Sequence, residues 1–273
     1  MKELEQIAIE VRKKLLQNIV KAGGGHTGGS MSSVDILVAL YFDVMNIDPD
    51  NPAMKGRDRF IMSKGHSVES YHAVLSKRGF FSEEVLDSYG DFNSILAGHP
   101  TRKVPGIEVN SGALGHGLSV GVGMALAAKR SGTGYRAFVL MGDGEHGEGS
   151  IMEAAAAAGH YHLDNLVAII DRNGLQISGK TEDVMSIENL EAKYLACGWS
   201  VRSCKGHDMD ELTSALRDAP FDKGKPSLLI AHTIKGKGVS FMEDNAVWHH
   251  KVPSPEQLQQ AMEELNLLML EEK

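Results

Sequence analysis

A short apolar run that ends in a glycine-flanked acidic turn constrains the fold of this chain more than any other feature. Residues 136–141 (RAFVLM) predict a buried strand, and residues 142–145 (GDGE) follow it directly. A helix is expected soon afterwards because alanine, the best helix former, fills residues 154–158. The glycines therefore lie on a strand-to-helix turn, where the amide groups of a helix N-terminus can face a bound anion.

The glycines of this turn also match a dinucleotide-binding pattern. Gly142, Gly144 and Gly147 satisfy G-x-G-x-x-G, and an acid, Asp171, follows near the expected distance. Asp143 conflicts with that interpretation because it places a carboxylate beside a pyrophosphate. Two such anions about 4 Å apart repel each other by roughly 4 kcal/mol at an effective dielectric constant of about 20. A divalent cation between them would convert the repulsion into coordination.

A second apolar run supplies further oxygen ligands for such a cation. Residues 166–170 (LVAII) predict a strand that ends just before Asp171 and Asn173. Mg²⁺ favours carboxylate and carbonyl oxygens and is commonly completed by substrate phosphates. Asp143, Asn173 and a backbone carbonyl just beyond it would provide these oxygens from two adjacent strand ends. The alternative is an acidic surface turn with an ordinary loop asparagine.

The composition argues against several classes of function. The formal net charge of −8 and the lack of a Lys/Arg block argue against a nucleic-acid-binding surface. Cys197 and Cys204 lack metal-ligand or CxxC spacing, which indicates reduced thiols in a cytosolic protein. The sequence has no apolar run near about 18 residues and no signal-peptide pattern, so we expect a cytoplasmic protein without membrane contact.

Predicted strands and helices alternate along the chain, and this order predicts an α/β fold. We expect a doubly wound, mostly parallel sheet with helices on both faces, and 273 residues could form one large α/β domain or two small ones. Ligands bind such sheets beyond the carboxyl ends of the strands. The other predicted strands are residues 60–62, 199–203 and 228–232. The other predicted helices are residues 4–19, one that begins at Ser32, one around Tyr71, residues 118–128, 190–196 and 212–216, and a last one capped by Ser254.

Four histidines lie in or beside glycine-rich loops instead of on apolar helical faces. His26 lies in GGGHTGG, His66 in SKGH, His99 in AGHP and His249 in VWHH. Taken singly, each histidine is typical of a hydrogen-bonded structural residue. Taken together at strand ends, the four histidines suit a polyhydroxylated substrate and proton transfer near neutral pH. A zinc site is the rival hypothesis, but no H-x₃-H, HExxH or paired-cysteine spacing supports it.

Together these residues resemble the thiamine-diphosphate-binding half of transketolase over essentially the whole chain. Residues 142–173 (GDGEHGEGSIMEAAAAAGHYHLDNLVAIIDRN) carry the thiamine diphosphate signature. GGGHTGG, MSKGHS, AGHP, SGALGHG and KGKGVSFMEDNAVWHH are transketolase-like. The resemblance implies the thiamine-diphosphate-binding fold of the diphosphate (PP) type, in a single domain of residues 1–273. It also implies that Asp143, Asn173 and the backbone carbonyl of Leu175 bind Mg²⁺ or Ca²⁺, which holds the cofactor diphosphate.

The resemblance extends to the other site residues. The implied cofactor-binding set is His66, Lys64, Gly112, Leu114, Gly142, Asp143, Gly144, Glu145, Asn173, Lys235 and His249. The implied catalytic set is His26, His66, His99 and His249. In that set His99 would hold the donor's terminal hydroxyl, and the other three would assist proton transfers. Glu148 and Glu153 would lie at a subunit contact between two active sites. His116 stands where the family usually has Gln.

Full-size transketolases continue into a pyrimidine-binding domain and a third, C-terminal domain. The resemblance implies that a partner chain, a C-terminal transketolase subunit, supplies these domains and the glutamate that activates the cofactor, in an assembly with two copies of each chain. The implied reaction moves a two-carbon ketol unit from a ketose phosphate to an aldose phosphate, with the cofactor as electron sink. The identity of both sugars stays open.

Other functions remain as alternatives. Among thiamine diphosphate enzymes they are 1-deoxyxylulose-5-phosphate synthase and the first component of 2-oxo-acid dehydrogenases, although the SKGH and GHP histidines favour a sugar over a small 2-oxo acid. A nicotinamide-dependent oxidoreductase would use the literal G-x-G-x-x-G, against which Asp143 argues. A non-catalytic subunit could keep the fold without turnover.

Overall fold

Five short strands form one parallel sheet at the centre of the molecule, a computed structural model that describes residues 2–271. The spatial order is β1-β2-β3-β5-β4, and each neighbouring pair of these strands is parallel. The predicted α/β fold with a parallel sheet is therefore confirmed. The strands are β1 (Arg59–Met62), β2 (Ala137–Gly142), β3 (Leu166–Arg172), β4 (Ser200–Lys205) and β5 (Ser227–His232).

Both faces of the sheet are buried. Along β2, Phe138 and Leu140 belong to one apolar cluster, whereas Val139 and Met141 belong to the cluster on the opposite face. All four side chains are fully buried. This explains why the β2 and β3 sequences are continuous apolar runs instead of alternating with polar residues.

Helices cover the two faces in separate layers. Helices α1, α2, α3, α9 and α10 pack on one face, and α5, α6 and α8 pack on the other. Two short helices, α4 and α7, were not predicted from the sequence. The helices are α1 (Lys2–Ala22), α2 (Thr27–Ala39), α3 (Val68–Arg78), α4 (Glu83–Asp87), α5 (Gly117–Ser131), α6 (Gly149–His160), α7 (Thr181–Val184), α8 (Leu190–Ala196), α9 (Met209–Arg217) and α10 (Pro255–Glu271).

The predicted start of α2 at Ser32 is wrong, since the helix begins five residues earlier at Thr27. The glycines of this segment suggested a loop, but every residue of α2 is buried. A Cβ atom on Gly28 would lie 2.9 Å from the backbone oxygen of Trp248, and one on Gly29 would lie 2.7 Å from a serine hydroxyl. Close packing therefore explains the glycines, and tertiary contacts override their low helix propensity.

The predicted cap of the last helix is confirmed. The Gln257 amide donates a hydrogen bond to Ser254 Oγ (3.2 Å), and the Ser254 amide donates one to Gln257 Oε1 (3.0 Å). This reciprocal pair is a capping box, and it satisfies two amide groups at the start of α10.

Two findings bear on the expectations drawn from composition. Cys197 and Cys204 are both free thiols. Among residues 2–271, no helix combines the length and the hydropathy that a membrane-crossing segment needs.

Two glycines of α5 provide a matched test of this packing. A Cβ atom on Gly121 would lie 2.5 Å from Val139 Cγ2 in β2, whereas one on Gly123 would meet no atom within 4 Å. We expect Gly121→Ala to lower the free energy of unfolding by about 1–3 kcal/mol through overpacking. Gly123→Ala should raise it by up to about 1 kcal/mol, because alanine favours the helix. Urea unfolding measures both variants, and equal stability would contradict the packing of α5 on the sheet.

Candidate active site

A cavity of about 320 Å³ opens at the carboxyl ends of β1, β2, β3 and β5. The polar loops that follow these strands were predicted to meet at this edge, and they do. We call this cavity the main cleft. Every residue of the predicted cofactor-binding set lines it, as do His26 and Leu175. The lining residues are His26, Gly29, Lys64, His66, Gly112, Leu114, Gly142, Asp143, Gly144, Glu145, Asn173, Leu175, Gln176, Ile177, Ser178, Lys235 and His249.

The four predicted histidines come together although 223 positions separate the first from the last. The ring centroid of His26 lies 5.3 Å from that of His66 and 5.6 Å from that of His249. His66 and His249 stack with centroids 5.2 Å apart. His99 lies at the edge of the group, 6.1 Å from His26 and against the bare backbone of Gly112, where a Cβ atom would approach its ring to 2.9 Å.

Three rings of the cluster are held in the neutral state. Burial and the charge of Lys64 lower the pKa of His66 from its usual value to about 2. Burial, followed by Lys235, lowers the pKa of His249 to about 3. Burial and the neighbouring imidazoles His250 and His99 lower the pKa of His26 to about 4. Neutral imidazoles can both accept and donate a proton near pH 7.

Lys235 connects the histidine cluster with the predicted metal ligands. Its ammonium lies 2.9 Å from His249 Nδ1 and donates a hydrogen bond to the Leu175 carbonyl (3.3 Å). The side chain is buried, and burial together with the charge of Lys64 lowers its pKa to about 8. Lys235 and Lys64 therefore place two buried cationic groups beside the main cleft.

Asp143 lies at the end of β2, where backbone amides orient it. Its Oδ1 accepts a hydrogen bond from the Gly144 amide (2.7 Å), and its Oδ2 accepts one from the Gly174 amide (2.6 Å). Arg172 Nη1 lies 3.3 Å from the same Oδ2. Burial raises the pKa of Asp143, and the charge of Asp171 raises it further. The two amides and Arg172 therefore offset only part of the cost of burying this negative charge.

The oxygens around Asp143 fit a magnesium or calcium ion. Asn173 and Leu175 follow β3 and line the main cleft beside Asp143. A carboxylate, a side-chain amide and a backbone carbonyl form the hard oxygen donor set that these ions prefer. Gly144 leaves the turn without a side chain, since a Cβ atom there would lie 2.7 Å from Gln176 Cγ. Within residues 2–271 no three His, Cys, Asp or Glu side chains converge as a metal site would require, so the zinc hypothesis finds no ligand set.

Asp171 does not have the position that the dinucleotide hypothesis requires. Its carboxylate is fully buried and forms an ion pair with Lys64. It also accepts hydrogen bonds from Ser32 Oγ (2.7 Å) and from Thr233 Oγ1. Burial alone would raise the pKa of Asp171, but the Lys64 ammonium and these hydroxyls hold it below its usual value. An acid enclosed in this way cannot bind a ribose hydroxyl.

Glu145 lines the main cleft, but its carboxylate holds protein loops together. The amides of Gly115 (2.8 Å) and Gly142 (3.0 Å) and the hydroxyl of Ser63 donate hydrogen bonds to it. Glu145 therefore fixes the SGALGHG loop against the ends of β1 and β2. Its direct contact with a cofactor stays a prediction.

Four predicted residues do not line this cavity: Glu148, Glu153, His116, and His99 at the edge of the histidine cluster. Glu148 and Glu153 are exposed at the start of α6, as a subunit contact would require, and that role stays a prediction. His116 is exposed, with Nδ1 3.0 Å from the Leu114 carbonyl oxygen.

Sequence reasoning missed other residues of the site. Gln176, Ile177 and Ser178 line the cavity because they continue the loop after β3. The sequence indicated these three residues only through their position in the loop that contains Asn173. His250, whose ring centroid lies 4.5 Å from that of His26, was visible only as the second histidine of VWHH.

The charge state of the cluster can be measured directly. Near pH 6 we expect long-range ¹H–¹⁵N spectra to show neutral rings for His26, His66 and His249, because their pKa values lie at about 4 or below. A solvent-exposed histidine titrates near about 6.5. Single His→Gln variants assign the signals. A titration midpoint close to that of free histidine for any of the three would contradict the electrostatics described above.

Comparisons with known proteins show the family of this chain. The family model "Transketolase, thiamine diphosphate binding domain" matches residues 4–265. The chain is 56% identical over 255 residues to one of the subunits of the apulose-4-phosphate transketolase of Phocaeicola vulgatus, covering 93% of this chain and 91% of that protein. It is 42% identical over 264 residues to the 6-deoxy-6-sulfo-D-fructose transketolase subunit SqwG of a Clostridium species, covering 96% of each.

Solved structures give the same result for the fold. The transketolase of Campylobacter jejuni superimposes with a TM-score of 0.90 at 31% identity, covering 97% of this chain and 43% of that one. A transketolase from Leishmania mexicana matches with a TM-score of 0.85 at 27% identity, covering 98% of this chain and 45% of that one. The chain thus spans less than half the length of these transketolases. The family model and these relatives establish that the chain belongs to the transketolase family, as a thiamine-diphosphate-binding domain.

Proposed function

We propose that this chain is the thiamine-diphosphate-binding subunit of a split transketolase and transfers a two-carbon ketol unit from a ketose phosphate to an aldose phosphate. The observation that carries this proposal is the convergence of the whole implied cofactor-binding set on the main cleft. Relatives named as separate transketolase subunits match this chain over more than 90% of their length, which supports one domain here and the others on a partner.

The ends of β2 and β3 would hold the cofactor through a metal. Asp143, Asn173 and the Leu175 carbonyl would hold Mg²⁺ or Ca²⁺, which would supply positive charge to neutralise the cofactor diphosphate. The buried ammonium groups of Lys64 and Lys235 add positive charge beside the same cleft. Bound thiamine diphosphate supplies the electron sink for carbon–carbon bond cleavage.

The histidines would carry the proton transfers. Two of them, His26 and His249, have ring centroids 5.6 Å apart, and His66 lies within 5.3 Å of both. A neutral ring there accepts the proton of the donor's hydroxyl as the carbon–carbon bond breaks, and returns a proton to the alkoxide that forms on the acceptor. His99 lies at the edge of the cluster and would hold the donor's terminal hydroxyl.

Exposed apolar side chains beside the main cleft support a partner subunit. Ile177 lines this cleft with 72% of its surface exposed, and Val247, two residues before His249, is 65% exposed. A second subunit could cover these exposed apolar side chains. We assign this rim to a C-terminal transketolase subunit in an assembly with two copies of each chain, in which Glu148 and Glu153 lie at a subunit contact.

The relatives also narrow the substrate. Two of them are named for apulose 4-phosphate and one for 6-deoxy-6-sulfo-D-fructose. Of these three relatives, the one with the highest identity to this chain is named for apulose 4-phosphate. We therefore propose apulose 4-phosphate as the donor to test first, with xylulose 5-phosphate as the comparison donor.

The metal assignment predicts the effect of one substitution. We expect Asp143→Asn to weaken thiamine diphosphate binding in Mg²⁺ by about 100-fold or more, because loss of outer-shell partners alone costs about 10–100-fold. Asp183→Asn, an exposed position in α7, is the matched control and should bind normally. Calorimetry with the partner subunit present measures both variants. Wild-type affinity in Asp143→Asn would refute the assigned metal site.

The split arrangement predicts an activity that needs two chains. We expect ketol transfer with thiamine diphosphate and Mg²⁺ only when this chain is mixed with the product of the adjacent reading frame, since relatives of similar length are named as subunits and this chain covers 43% of a solved transketolase. A coupled assay with apulose 4-phosphate or xylulose 5-phosphate as donor measures it. Turnover by this chain alone would refute the partner requirement. If the mixture binds the cofactor but turns over neither ketose, the assignment of both sugars as donors is wrong.

A further inference from the structure

The loop after β5 carries Lys235, and hydrogen bonds from other parts of the chain hold the residues on both sides of it. The Gly236 amide donates to the Gly28 carbonyl (3.0 Å). On the other side, the Ile234 amide donates to a side chain, at 2.8 Å from Nε2 of His207. The residue directly before Lys235 is therefore held by a histidine that does not line the main cleft.

His207 reaches this loop from the turn between β4 and α9. The turn lies against the end of β5, where the Gly206 amide donates to the His232 carbonyl (2.8 Å). A Cβ atom on Gly206 would lie only 2.5 Å from Thr233 Cγ2. Because Gly206 has no side chain, the turn approaches β5 closely enough for the ring of His207 to meet the Ile234 amide.

A buried ion pair orients the other side of the His207 ring. Nδ1 of His207 lies 2.6 Å from Asp35 Oδ2 in α2, and Arg12 in α1 donates to both oxygens of the same carboxylate. Arg12 and Asp35 are each only 5% exposed. Burial alone would raise the pKa of Asp35, but the Arg12 guanidinium and His207 hold it at about 2. A charged acceptor therefore faces His207 from a fixed place between α1 and α2.

These two contacts determine where the His207 ring carries its proton. A backbone amide can only donate, so Nε2 is the acceptor for Ile234 and has no hydrogen. The ring proton is then on Nδ1 and is donated to the Asp35 carboxylate. Asp35 thus selects the neutral tautomer that can hold Ile234. It also fixes the orientation of the ring, since a ring flip would replace both nitrogens by carbon atoms.

Lys235 depends on the exact position of this backbone because its ammonium is buried and has directional contacts. The ammonium lies 2.9 Å from His249 Nδ1 and 3.3 Å from the Leu175 carbonyl oxygen. A contact of about 3.6 Å is no longer a hydrogen bond, so a shift of about 1 Å at Ile234 is enough to remove both.

We propose that His207 is a positioning residue of the thiamine diphosphate site, which holds the backbone before Lys235 and so fixes this ammonium group beside the cofactor. Asp35 acts one step further away, by orienting the His207 ring. The inference rests on the proposed function, because that function gives Lys235 a cofactor to contact. His207 itself touches no reacting group.

Two substitutions separate the roles of the two ring nitrogens. The side-chain oxygen in His207→Gln can take the place of Nε2 and accept from Ile234, but this variant has no donor for Asp35. The side-chain NH₂ in His207→Asn can take the place of Nδ1 and donate to Asp35, but it leaves the Ile234 amide without its acceptor. His232→Asn is the matched control, because this exposed histidine ends β5 and its ring takes part in none of these contacts.

Calorimetry measures thiamine diphosphate affinity in Mg²⁺ with the partner subunit present. We expect His207→Asn to weaken binding by about tenfold, as the loss of about one hydrogen bond to the cofactor implies. His207→Gln and His232→Asn should bind like the wild type.

Urea unfolding supplies the readout for a merely structural role. A hydrogen bond to a charged group contributes more to stability than one between neutral groups. His207→Gln should therefore be less stable than His207→Asn, because it removes the donor to the Asp35 carboxylate. Cofactor affinity and stability then change in opposite orders. Equal cofactor affinity of the two variants, or weaker binding by His207→Gln, would overturn the inference.

Hydrogen exchange of the Ile234 amide tests the positioning without cofactor. We expect faster exchange in His207→Asn than in the wild type and His207→Gln, whereas the Gly206 amide keeps its rate in all three. Unchanged exchange at Ile234 in His207→Asn would also overturn the inference. A wild-type complex that binds no thiamine diphosphate would refute the proposed function, and the Ile234 exchange would then decide separately whether His207 positions the Lys235 loop.

Discussion

The buried ion pair between Lys64 and Asp171 is the interaction on which the site depends. Lys64 follows β1 and Asp171 belongs to β3, so the pair joins two strand ends that are not neighbours in the sheet. Ser32 in α2 and Thr233 after β5 donate to the same carboxylate. Loss of one partner from such a pair typically costs about 3–5 kcal/mol, because the other charge stays buried and unpaired. Four segments of the chain are therefore fixed at one point beneath the main cleft.

The same pair also sets the electrostatics above it. Burial and then the Lys64 ammonium lower the pKa of His66, whereas burial and then the Asp171 carboxylate raise the pKa of Asp143. The ion pair thus has two consequences. Its cation helps to keep the His66 ring neutral, and its anion increases the need for a cation beside Asp143. Proton transfer to and from a sugar requires neutral histidines. An anionic cofactor requires a cation, which the Asp143 carboxylate can hold.

Local sequence predicted those parts of the fold that depend on local pattern. The continuous apolar runs of β2 and β3 and the polar residues that follow them indicated both the parallel sheet and the edge where the loops meet. The start of α2 was wrong because its glycines serve contacts with Trp248 and a serine that lie far away in sequence. The role of Asp171 was missed for the same reason, since 139 positions separate it from Ser32. Only the folded chain shows which polar groups are already paired.

The two cavities on either side of His26 divide the charges of the site. Lys64 and Lys235 place positive charge at the ends of the strands, where Asp143 and the glycine turn also lie. Glu69, in α3, places a buried carboxylate in a second cavity of about 340 Å³, and His26 lines both cavities. A diphosphate is therefore favoured in the main cleft and disfavoured beside Glu69, because like charges repel at short range. Specificity of this kind comes from repulsion at one end as much as from attraction at the other.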